Sequence, residues 1–377
     1  MLTALFEMQL PHHPYNTLPA LPPTQDLETA TLLKAVAQAA RALGELKGVC
    51  QTLPNPALLI NTIALQESKA SSAIENIITT HDELYQAIVQ DLDIMLASGT
   101  ISPSAKEVLR YREALYEGYN ELQKRNLLTT NLFIRLMQTI KQNSAGIRKE
   151  SGVCIKNQMT GEIVYTPPEG EDVIRQKLYE LEQFINDPPH DLNPIICMAL
   201  LHYQFEAIHP FADGNGRTGR ILMVLYLVQQ GYLDLPILFV SAYIIKNKAR
   251  YYELLRAVTE REAWQEWCLF MAKAVEETAQ LTLHTIQRIR IAQDDITERA
   301  RNGMKRGFSK ELIDIIFEHP YCKINSLTSR NLAQRQTASA YLQDLAALGI
   351  LEPLKIGREI YYINTALMQI LSASEGE

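Results

Sequence analysis

Residues 209–220 read HPFADGNGRTGR, and the prediction for the rest of the chain starts from this stretch. Apolar residues at helical spacing precede it up to Ile208, and others follow it from Ile221. Pro210 favours the end of the first helix, and the Gly-Asn-Gly triplet at 214–216 allows a tight turn into the second. The sequence therefore predicts two buried helices joined by a turn that exposes backbone N–H groups.

The predicted turn carries groups that suit phosphate chemistry. Unpaired N–H groups at the start of a helix attract an anion. Arg217 and Arg220 lie on one face of that helix, and their guanidinium donors suit a polyphosphate. Asp213 offers a hard oxygen ligand to Mg²⁺ beside those phosphates. His209 titrates near neutral pH and is the candidate base. This combination predicts phosphoryl or nucleotidyl transfer.

Two other interpretations of the same residues are weaker. Residues 214–219 spell G-x-G-x-x-G, with Asp234 further along, but that dinucleotide motif follows a buried strand, whereas helical spacing precedes it here. His202, Glu206 and His209 lie at helical intervals that suggest a zinc site, yet the sequence offers no evident fourth ligand. We therefore expect His202 and Glu206 to be structural.

The twelve residues resemble the signature of the Fic (filamentation induced by cAMP) family, H-x-F-x-[DE]-G-N-G-R-x-x-R, at every specified position. The resemblance extends to residues 154–165, where β-branched residues flank a turn signal and predict a hairpin. That hairpin stands where the family carries its target-docking flap, and residues 146–148, Gly-Ile-Arg, match the segment leading into it. The resemblance implies a mainly α fold, with a Fic-type helical core and a β-hairpin flap.

The resemblance also implies a protein adenylyltransferase and a role for each motif residue. His209 would take the proton from a Ser, Thr or Tyr hydroxyl of a protein, which includes this chain itself. The freed oxygen would attack the α-phosphorus of ATP, AMP would be transferred and pyrophosphate would leave. Asp213 would hold Mg²⁺, and the flap would bind the target by strand addition. The implied ATP-binding residues are Gly214, Asn215, Gly216, Arg217, Thr218, Gly219, Arg220 and Tyr251, with Tyr251 beside the nucleotide base.

A second element resembles the family's inhibitory pattern, [ST]-x-x-x-E-[GN], at residues 71–76 on a predicted helix before the core. The resemblance makes Ser71 and Glu75 inhibitory residues. A Glu75 carboxylate that reaches Arg220 would form a bidentate ion pair and occupy the guanidinium fork meant for the γ-phosphate. ATP would then bind with its α-phosphate out of line, so the sequence predicts a self-inhibited enzyme.

The remaining sequence predicts further regions around this core. In order they are an extended proline-rich arm at 1–26, a helical region with the inhibitory helix at 27–110, the Fic catalytic core at 111–300, a linker at 301–308 and a small domain at 309–377. The last region shows three helical segments and then a hairpin, which is the winged-helix order used by many DNA-binding modules. We expect a winged-helix-like domain there, separate from the core.

Composition limits the partners. Of the 377 residues 47% are hydrophobic and 21% charged, as in globular proteins, and no apolar run approaches the length of a membrane span. No signal peptide or membrane partner is expected. Five scattered cysteines fit a reducing cytoplasm, so we expect a cytoplasmic protein. A net charge of −7 argues against attraction of the whole molecule to nucleic acid.

Several functions stay open at this stage. The same site could remove AMP from a modified protein, or transfer phosphocholine, UMP or a phosphate by presenting the nucleotide differently. The chain could instead be a winged-helix DNA-binding regulator, although basic residues barely outnumber acidic ones from Arg301 onward. The sequence does not decide the target protein, the existence of a homodimer or the trigger that moves Glu75.

Overall fold

The computed structural model describes residues 11–52, 56–89, 102–156, 160–189, 191–356 and 359–373. Within these ranges the chain is mainly helical with two small sheets, so the expected fold class is confirmed. None of the helices in this part of the chain is long and apolar enough to cross a membrane. The first ten residues of the predicted arm, and the turn residues Gln158, Met159, Gly357 and Arg358 of the two hairpins, lie outside the described ranges.

The helical core contains eleven helices in the described ranges and one hairpin. Its first helices are α1 (Ala30–Gln51), α2 (Pro56–Ile74), α3 (His81–Val89), α4 (Pro103–Arg125) and α5 (Thr130–Lys141). Strands β1 (Ile155–Lys156) and β2 (Ile163–Tyr165) form the antiparallel hairpin. The helices α6 (Glu171–Asn186), α7 (Pro194–Ile208), α8 (Asn215–Gln229), α9 (Val240–Lys246), α10 (Lys248–Arg261) and α11 (Trp264–Gly303) follow.

Helices α7 and α8 form the centre of the core and pack against each other across the turn that joins them. Both are buried around most of their circumference, as expected for helices that are apolar on every side. Helices α2, α4 and α5 pack on α8, while α11 packs on α7. The HPFADGNGRTGR stretch therefore sits at one end of a buried helix pair and is supported from several directions.

Helix boundaries differ from the prediction where single residues take left-handed backbone. Gly214 takes left-handed backbone at φ +88°, so α8 begins at Asn215, within the Gly-Asn-Gly triplet that was expected to form the turn. Helix α2 ends at Ile74 because the chain reverses at Asn76, which has φ +61°. Glu75 thus lies in the turn after α2, whereas the sequence predicted it on a helix.

The carboxyl-terminal region has the predicted order of three helices and a hairpin. It contains α12 (Lys310–Glu318), β3 (Tyr321–Cys322), α13 (Ile324–Thr328), α14 (Arg335–Ala347), β4 (Leu351–Ile356), β5 (Glu359–Asn364) and an unpredicted helix α15 (Thr365–Ala373). The strands form an antiparallel sheet in the order β3-β5-β4. Lys323 and Arg330 pair with Glu359 and Glu318, which reduces the positive potential that this region offers to nucleic acid.

The sequence predicted a carboxyl-terminal domain separate from the core. In the structure this region packs against the core. Gly303 is the last residue of α11 and not part of the linker, so the helix itself carries the chain to the tail. The tail packs on α2 and α11. Gln66 of α2 donates a buried 2.8 Å hydrogen bond to the carbonyl of Leu371, and the Tyr321 hydroxyl donates to Asp82 at 3.0 Å.

The amino-terminal arm lacks regular structure over residues 11–26, as its prolines predict, but it is held against the core. Leu18 is only 1% exposed. Gln204 of α7 donates to the carbonyl of Pro19 at 2.7 Å, and the backbone N–H of Tyr15 donates to the carbonyl of Thr166 at 3.1 Å. The arm therefore covers the chain where it leaves the hairpin.

A matched pair of glycines tests the packing of α8. Both Gly44 in α1 and Gly118 in α4 are helix-interior residues, but a Cβ on Gly44 meets nothing within 4 Å, whereas one on Gly118 comes 2.5 Å from Cδ1 of the buried Leu225. We expect Gly44→Ala to raise the free energy of unfolding by about 0.5–1 kcal/mol. Gly118→Ala should lower it, because overpacking costs about 1–3 kcal/mol. Thermal unfolding of both variants measures the difference; equal stabilisation would contradict this packing.

Candidate active site

His209 lies immediately after α7 and is the helix C-cap, with left-handed backbone at φ +48° and ψ +58°. Its N–H donates to the carbonyl of Phe205 at 3.0 Å, and Pro210 then prevents the helix from continuing. Burial and the charge of Arg148 lower the pKa of His209 to about 4. The imidazole is therefore neutral at about pH 7 and can accept a proton, as a general base must.

Asn215 fixes the shape of the turn. Its side chain donates to the carbonyl of Phe211 at 2.7 Å and accepts from the N–H of the same residue at 2.9 Å. The residue is 2% exposed, and Phe211 is 1% exposed against Phe205. The Asn215 side chain thus holds the loop together and does not itself face the predicted anion site. The backbone N–H groups of the first turn of α8 remain available to an anion.

The structure brings together the three residues of the predicted inhibitory contact. Nη2 of Arg220 donates to Oε1 of Glu75 at 2.8 Å and to the carbonyl of Ser71 at 3.0 Å. Nε of the same guanidinium donates to Oγ of Ser71 at 2.7 Å. The Arg220 side chain is 1% exposed and that of Glu75 is 35% exposed, so the carboxylate lies on the solvent side of the guanidinium.

The Glu75 carboxylate also lies at the amino terminus of α8. A Cβ on Gly216 would overlap Oε1 of Glu75 and approach Nη1 of Arg220 to 3.0 Å, so only glycine permits this arrangement. The positive end of the helix dipole favours a negative group there. Burial opposes ionisation of Glu75, but the charge and hydrogen bond of Arg220 outweigh it and hold the pKa of Glu75 below its ordinary value. The carboxylate thus occupies the position expected of a phosphate.

Arg217 and Asp213 belong to a charged network that the sequence did not reveal. Arg217 donates to Glu107 of α4 and, at 3.2 Å, to Oδ1 of Asp213. Lys141 of α5 lies 2.6 Å from Oδ2 of Asp213 and 2.9 Å from Oε1 of Glu107. Glu107 and Lys141 are far from the motif in sequence, and no local signal distinguishes them from the other charged residues of α4 and α5.

Two residues predicted to bind ATP face elsewhere. The N–H of Thr218 already donates to the carbonyl of Gly214 at 3.0 Å, and its hydroxyl is buried. Gly219 lies against α7, where a Cβ would come 2.6 Å from Glu206 and 3.2 Å from Phe205. This placement argues against direct ATP contacts for Thr218 and Gly219 and makes them packing residues between α7 and α8.

Tyr251 is likewise buried, with 1% exposure, and its hydroxyl shares a 2.8 Å hydrogen bond with Nε2 of His202. The placement favours a packing role and argues against a position beside the nucleotide base. Its neighbour Tyr252 is 46% exposed, with the two ring centroids 5.1 Å apart. The charges of Glu75 and Arg220 act on the pKa of both tyrosines, so exposure distinguishes them, and Tyr252, which sequence reasoning missed, is the one with an accessible ring.

Glu206 is an acid within the site that the sequence analysis took as structural. Burial raises its pKa to about 7; Arg220 opposes this shift and Glu75 adds to it. Its Oε1 is buried and makes no hydrogen bond within the described residues. The charge of Arg220 therefore acts on both Glu75 and Glu206, and the partly exposed Glu75 is the one that forms an ion pair with it.

The hairpin is tied to the end of α7. Strand β1 pairs with β2 through Ile155 opposite Tyr165 and Lys156 opposite Ile163. The Tyr165 hydroxyl donates to the carbonyl of Ala207 at 2.8 Å. Arg148, just before the hairpin, donates to the carbonyl of His209 at 2.7 Å. The predicted flap and the candidate base thus share one supporting framework.

This geometry defines a class of helical proteins. In that class a helix start suited to an anion has a neutral histidine and a hairpin beside it. Sequence models of known families agree with it along most of the chain. Residues 33–120 match the Fic/DOC family N-terminal domain, residues 127–227 match the Fic/DOC family domain, and residues 293–367 match the C-terminal domain of the SoFic-like protein adenylyltransferases. The chain belongs to the Fic/DOC family.

Individual relatives are more distant. A protein adenylyltransferase Fic from Nematostella vectensis is 29% identical over 177 residues, which are 46% of this chain and 38% of that protein. The Drosophila grimshawi protein of the same name is 32% identical over 31% of this chain and 23% of its own length. The chain thus spans well under half of these relatives.

Solved structures agree on the fold. A Fic family protein from Desulfovibrio desulfuricans superimposes with a TM-score of 0.56 at 19% identity, over 91% of this chain and 98% of that one. Fic-1 from C. elegans gives 0.51 at 19% identity, over 68% of this chain and 74% of that one. The first of these extends the likeness of fold to nearly the whole length of the chain.

The environment of Glu206 predicts a pH-dependent gain in stability on its replacement. Between the ordinary pKa of 4.5 and the folded-state pKa of about 7, the folded chain holds a proton that the unfolded chain has released. Stability therefore falls as pH rises through this window. Because glutamine cannot ionise, Glu206→Gln should raise the melting temperature at about pH 8 by about 2 °C or more and change it least at about pH 4.5.

Glu45→Gln is the matched control, since Glu45 has a side chain 51% exposed on α1. Its effect on the melting temperature should be small, because an exposed ion pair contributes little to stability. The measurement is thermal unfolding of the three chains across this pH range. A Glu206→Gln curve that runs parallel to that of the unaltered chain would show that Glu206 does not take up a proton on folding.

Proposed function

We propose that this protein transfers AMP from ATP to a hydroxyl group of a protein, its own chain included, and that Glu75 inhibits the reaction. The observation that carries the proposal is the ion pair of Glu75 with Arg220 at the first turn of α8, beside the neutral His209. The name protein adenylyltransferase, borne by the curated relatives and by the matched C-terminal family, supports the same chemistry.

His209 supplies the base. The neutral imidazole accepts the proton of a Ser, Thr or Tyr hydroxyl as that oxygen attacks the α-phosphorus of ATP. The new bond joins the hydroxyl oxygen to the α-phosphorus, and the bond from the α-phosphorus to the bridging oxygen of the β-phosphate breaks, so pyrophosphate leaves. The left-handed backbone at His209 directs its side chain away from the course of α7.

The turn and the first residues of α8 bind the phosphates. The N–H groups of Asn215, Gly216 and Arg217 have no carbonyl a turn earlier within the helix, and the helix dipole adds a partial positive charge. Arg220 adds a guanidinium that matches a terminal phosphate in two hydrogen bonds. Negative charge that develops on the leaving pyrophosphate is therefore met by groups already in place.

A divalent cation fits the residues around Asp213. That carboxylate is 61% exposed, and one carboxylate together with substrate phosphates is a usual ligand set for Mg²⁺. Bound there, Mg²⁺ would neutralise phosphate charge. Lys141 lies 2.6 Å from Oδ2 of Asp213 and acts as its counter-ion in the structure, so Asp213 would exchange one cation for another.

Glu75 inhibits because it competes for the site of a phosphate. Its carboxylate lies against Gly216 and pairs with Arg220, so a terminal phosphate cannot occupy the same place. ATP can then enter only with its phosphates displaced, and a misplacement of about 1 Å costs on the order of a hundredfold in rate. Removal of the carboxylate should restore the aligned position.

The target would dock on the flap. The hairpin of β1 and β2 stands beside His209, held by Tyr165 and Arg148, and an extended segment that pairs with its edge would bring a hydroxyl to the base. Strand addition reads main-chain groups, so the flap would accept more than one sequence. ATP and a protein hydroxyl are thus the two partners that we propose.

The first test follows label from α-labelled ATP with a divalent cation. We expect Glu75→Gly to raise AMP transfer to the chain itself or to lysate proteins by on the order of a hundredfold. Adding His209→Ala to Glu75→Gly should abolish it, because the base is lost. Asn76→Gly is the matched control: it changes the same turn, at a left-handed position that glycine also adopts, but keeps the carboxylate.

Equal labelling by the unaltered chain, Glu75→Gly and Asn76→Gly would contradict inhibition by Glu75. If no form of the chain transfers α-label but label is transferred from γ-labelled ATP or another nucleotide, then the site transfers a different group and not AMP. Label that survives the loss of His209 would remove this residue from the proposed role.

A second test concerns Asp213. In the Glu75→Gly chain, we expect Asp213→Asn to lower AMP transfer at fixed Mg²⁺ by about a hundredfold or more, since metal stabilisation is worth several kcal/mol. Chelation of divalent cations should abolish transfer by the chain that keeps Asp213. Rates measured across a Mg²⁺ titration should show a higher half-saturating concentration for the variant; an unchanged titration would exclude Asp213 as the ligand.

A further inference from the structure

Arg148 is a buried arginine outside the motif that binds the backbone on both sides of His209. It is 3% exposed. Nε donates to the carbonyl of His209 at 2.7 Å and Nη2 to that of Ile208 at 3.4 Å, while its own N–H donates to the carbonyl of Pro210 at 2.9 Å. Nη2 also donates to the carbonyl of Pro168, where the chain leaves the flap.

These contacts lie at the carboxyl end of α7. The last carbonyls of a helix have no partner within the helix, and a cation at that end is favoured by the helix dipole. His209 holds a left-handed conformation, which is unfavourable for a residue other than glycine. The hydrogen bonds of Arg148 offset this cost by binding carbonyls that such a conformation turns away from the helix.

Arg148 also acts on the imidazole through its charge. Burial is the largest cause of the lowered pKa of His209, and Arg148 is the next. The charges of Glu75 and Asp213 and the nearby carbonyl of Glu206 act in the opposite direction. Nδ1 of His209 makes no hydrogen bond of normal geometry in the described part of the chain, so backbone contacts and not a side-chain partner orient this residue.

We propose that Arg148 is the positioning residue of the catalytic base: its guanidinium holds the backbone of His209 in the left-handed conformation and ties it to the base of the flap through Pro168. The catalytic consequence rests on the proposed AMP transfer, whereas the effect on His209 itself does not. A target bound to the flap is thereby fixed relative to the atom that takes its proton.

The test compares three arginine variants of the full chain. Arg148→Met removes both charge and hydrogen bonds, and Arg148→Lys keeps the charge but loses the fork that reaches several carbonyls. Arg175→Met is the control, because Arg175 has a side chain 53% exposed in an ion pair with Glu171 of the same helix. Thermal unfolding of each variant first establishes that it is folded.

The decisive readout is the titration of His209, measured by NMR with ¹³C-labelled histidine, and it does not depend on activity. His209→Gln removes one of the eight histidine signals and assigns the resonance. We expect His209 to stay neutral between about pH 5 and 7 in the unaltered chain and the Arg175→Met control. In Arg148→Met it should begin to protonate in this range, because loss of a nearby cation raises its pKa.

Activity separates positioning from simple stability. In the Glu75→Gly background, both Arg148 variants should lower kcat for AMP transfer by about ten- to a hundredfold, with little change in KM for ATP. The acid limb of the pH–rate profile should move to higher pH in Arg148→Met and stay in place in Arg148→Lys. A residue that only stabilised the fold would lower the melting temperature without moving this limb.

Each result decides the proposal. The proposal is overturned if Arg148→Met is folded and its His209 titration and kcat match those of the chain that keeps Arg148. If Arg148→Met does not fold, Arg148→Lys carries the test, and an unchanged kcat in that variant overturns the proposal as well. If Glu75→Gly transfers no AMP, the proposed function fails, and the titration of His209 still tests the contact with Arg148.

Discussion

The guanidinium of Arg220 is buried, and a buried cation needs an anion and hydrogen-bond acceptors at hand. Much of the architecture meets that need. Helix α2 packs on α8 and brings Ser71 and Glu75 to the guanidinium, and Gly216 leaves room for the carboxylate. The contact that we propose to be inhibitory is therefore the same contact that neutralises the buried arginine. A phosphate can take over this role because it offers the same charge and acceptors.

The sequence predicted what lies close together along the chain. The spacing of residues 209–220 located the candidate base and the turn that we propose to bind phosphate, and the pattern at residues 71–76 located the partner of Arg220, because both signals are local. Spacing could not reveal which faces of α8 and α10 pack inward; Thr218 and Tyr251, which were assigned ligand contacts, both have buried side chains. Glu107, Lys141 and the role of Arg148 depend on tertiary contacts between distant segments, and no periodicity encodes those.

The regions outside the core support the site. The arm lies against the hairpin exit and α7, while the tail contacts α2 ahead of the turn that holds Glu75. At the carboxyl end of that helix, next to Glu75, Lys248 of α10 donates to the carbonyl of Ile74 at 2.6 Å. Helix α2 is thus held at several points along its length, which explains how a carboxylate in a turn, with its side chain 35% exposed, keeps one position.

The pairing of Arg220 has a consequence for how the protein can change by mutation. A chain without the Glu75 carboxylate would lose the anion that pairs with its buried cation, and a bound nucleotide would supply one, so folding and ligand concentration would become linked. Loss of inhibition would then lower the folded fraction of the protein wherever ATP is scarce. Selection could retain Glu75 for the sake of the fold alone, even in a cell that gained from constant activity.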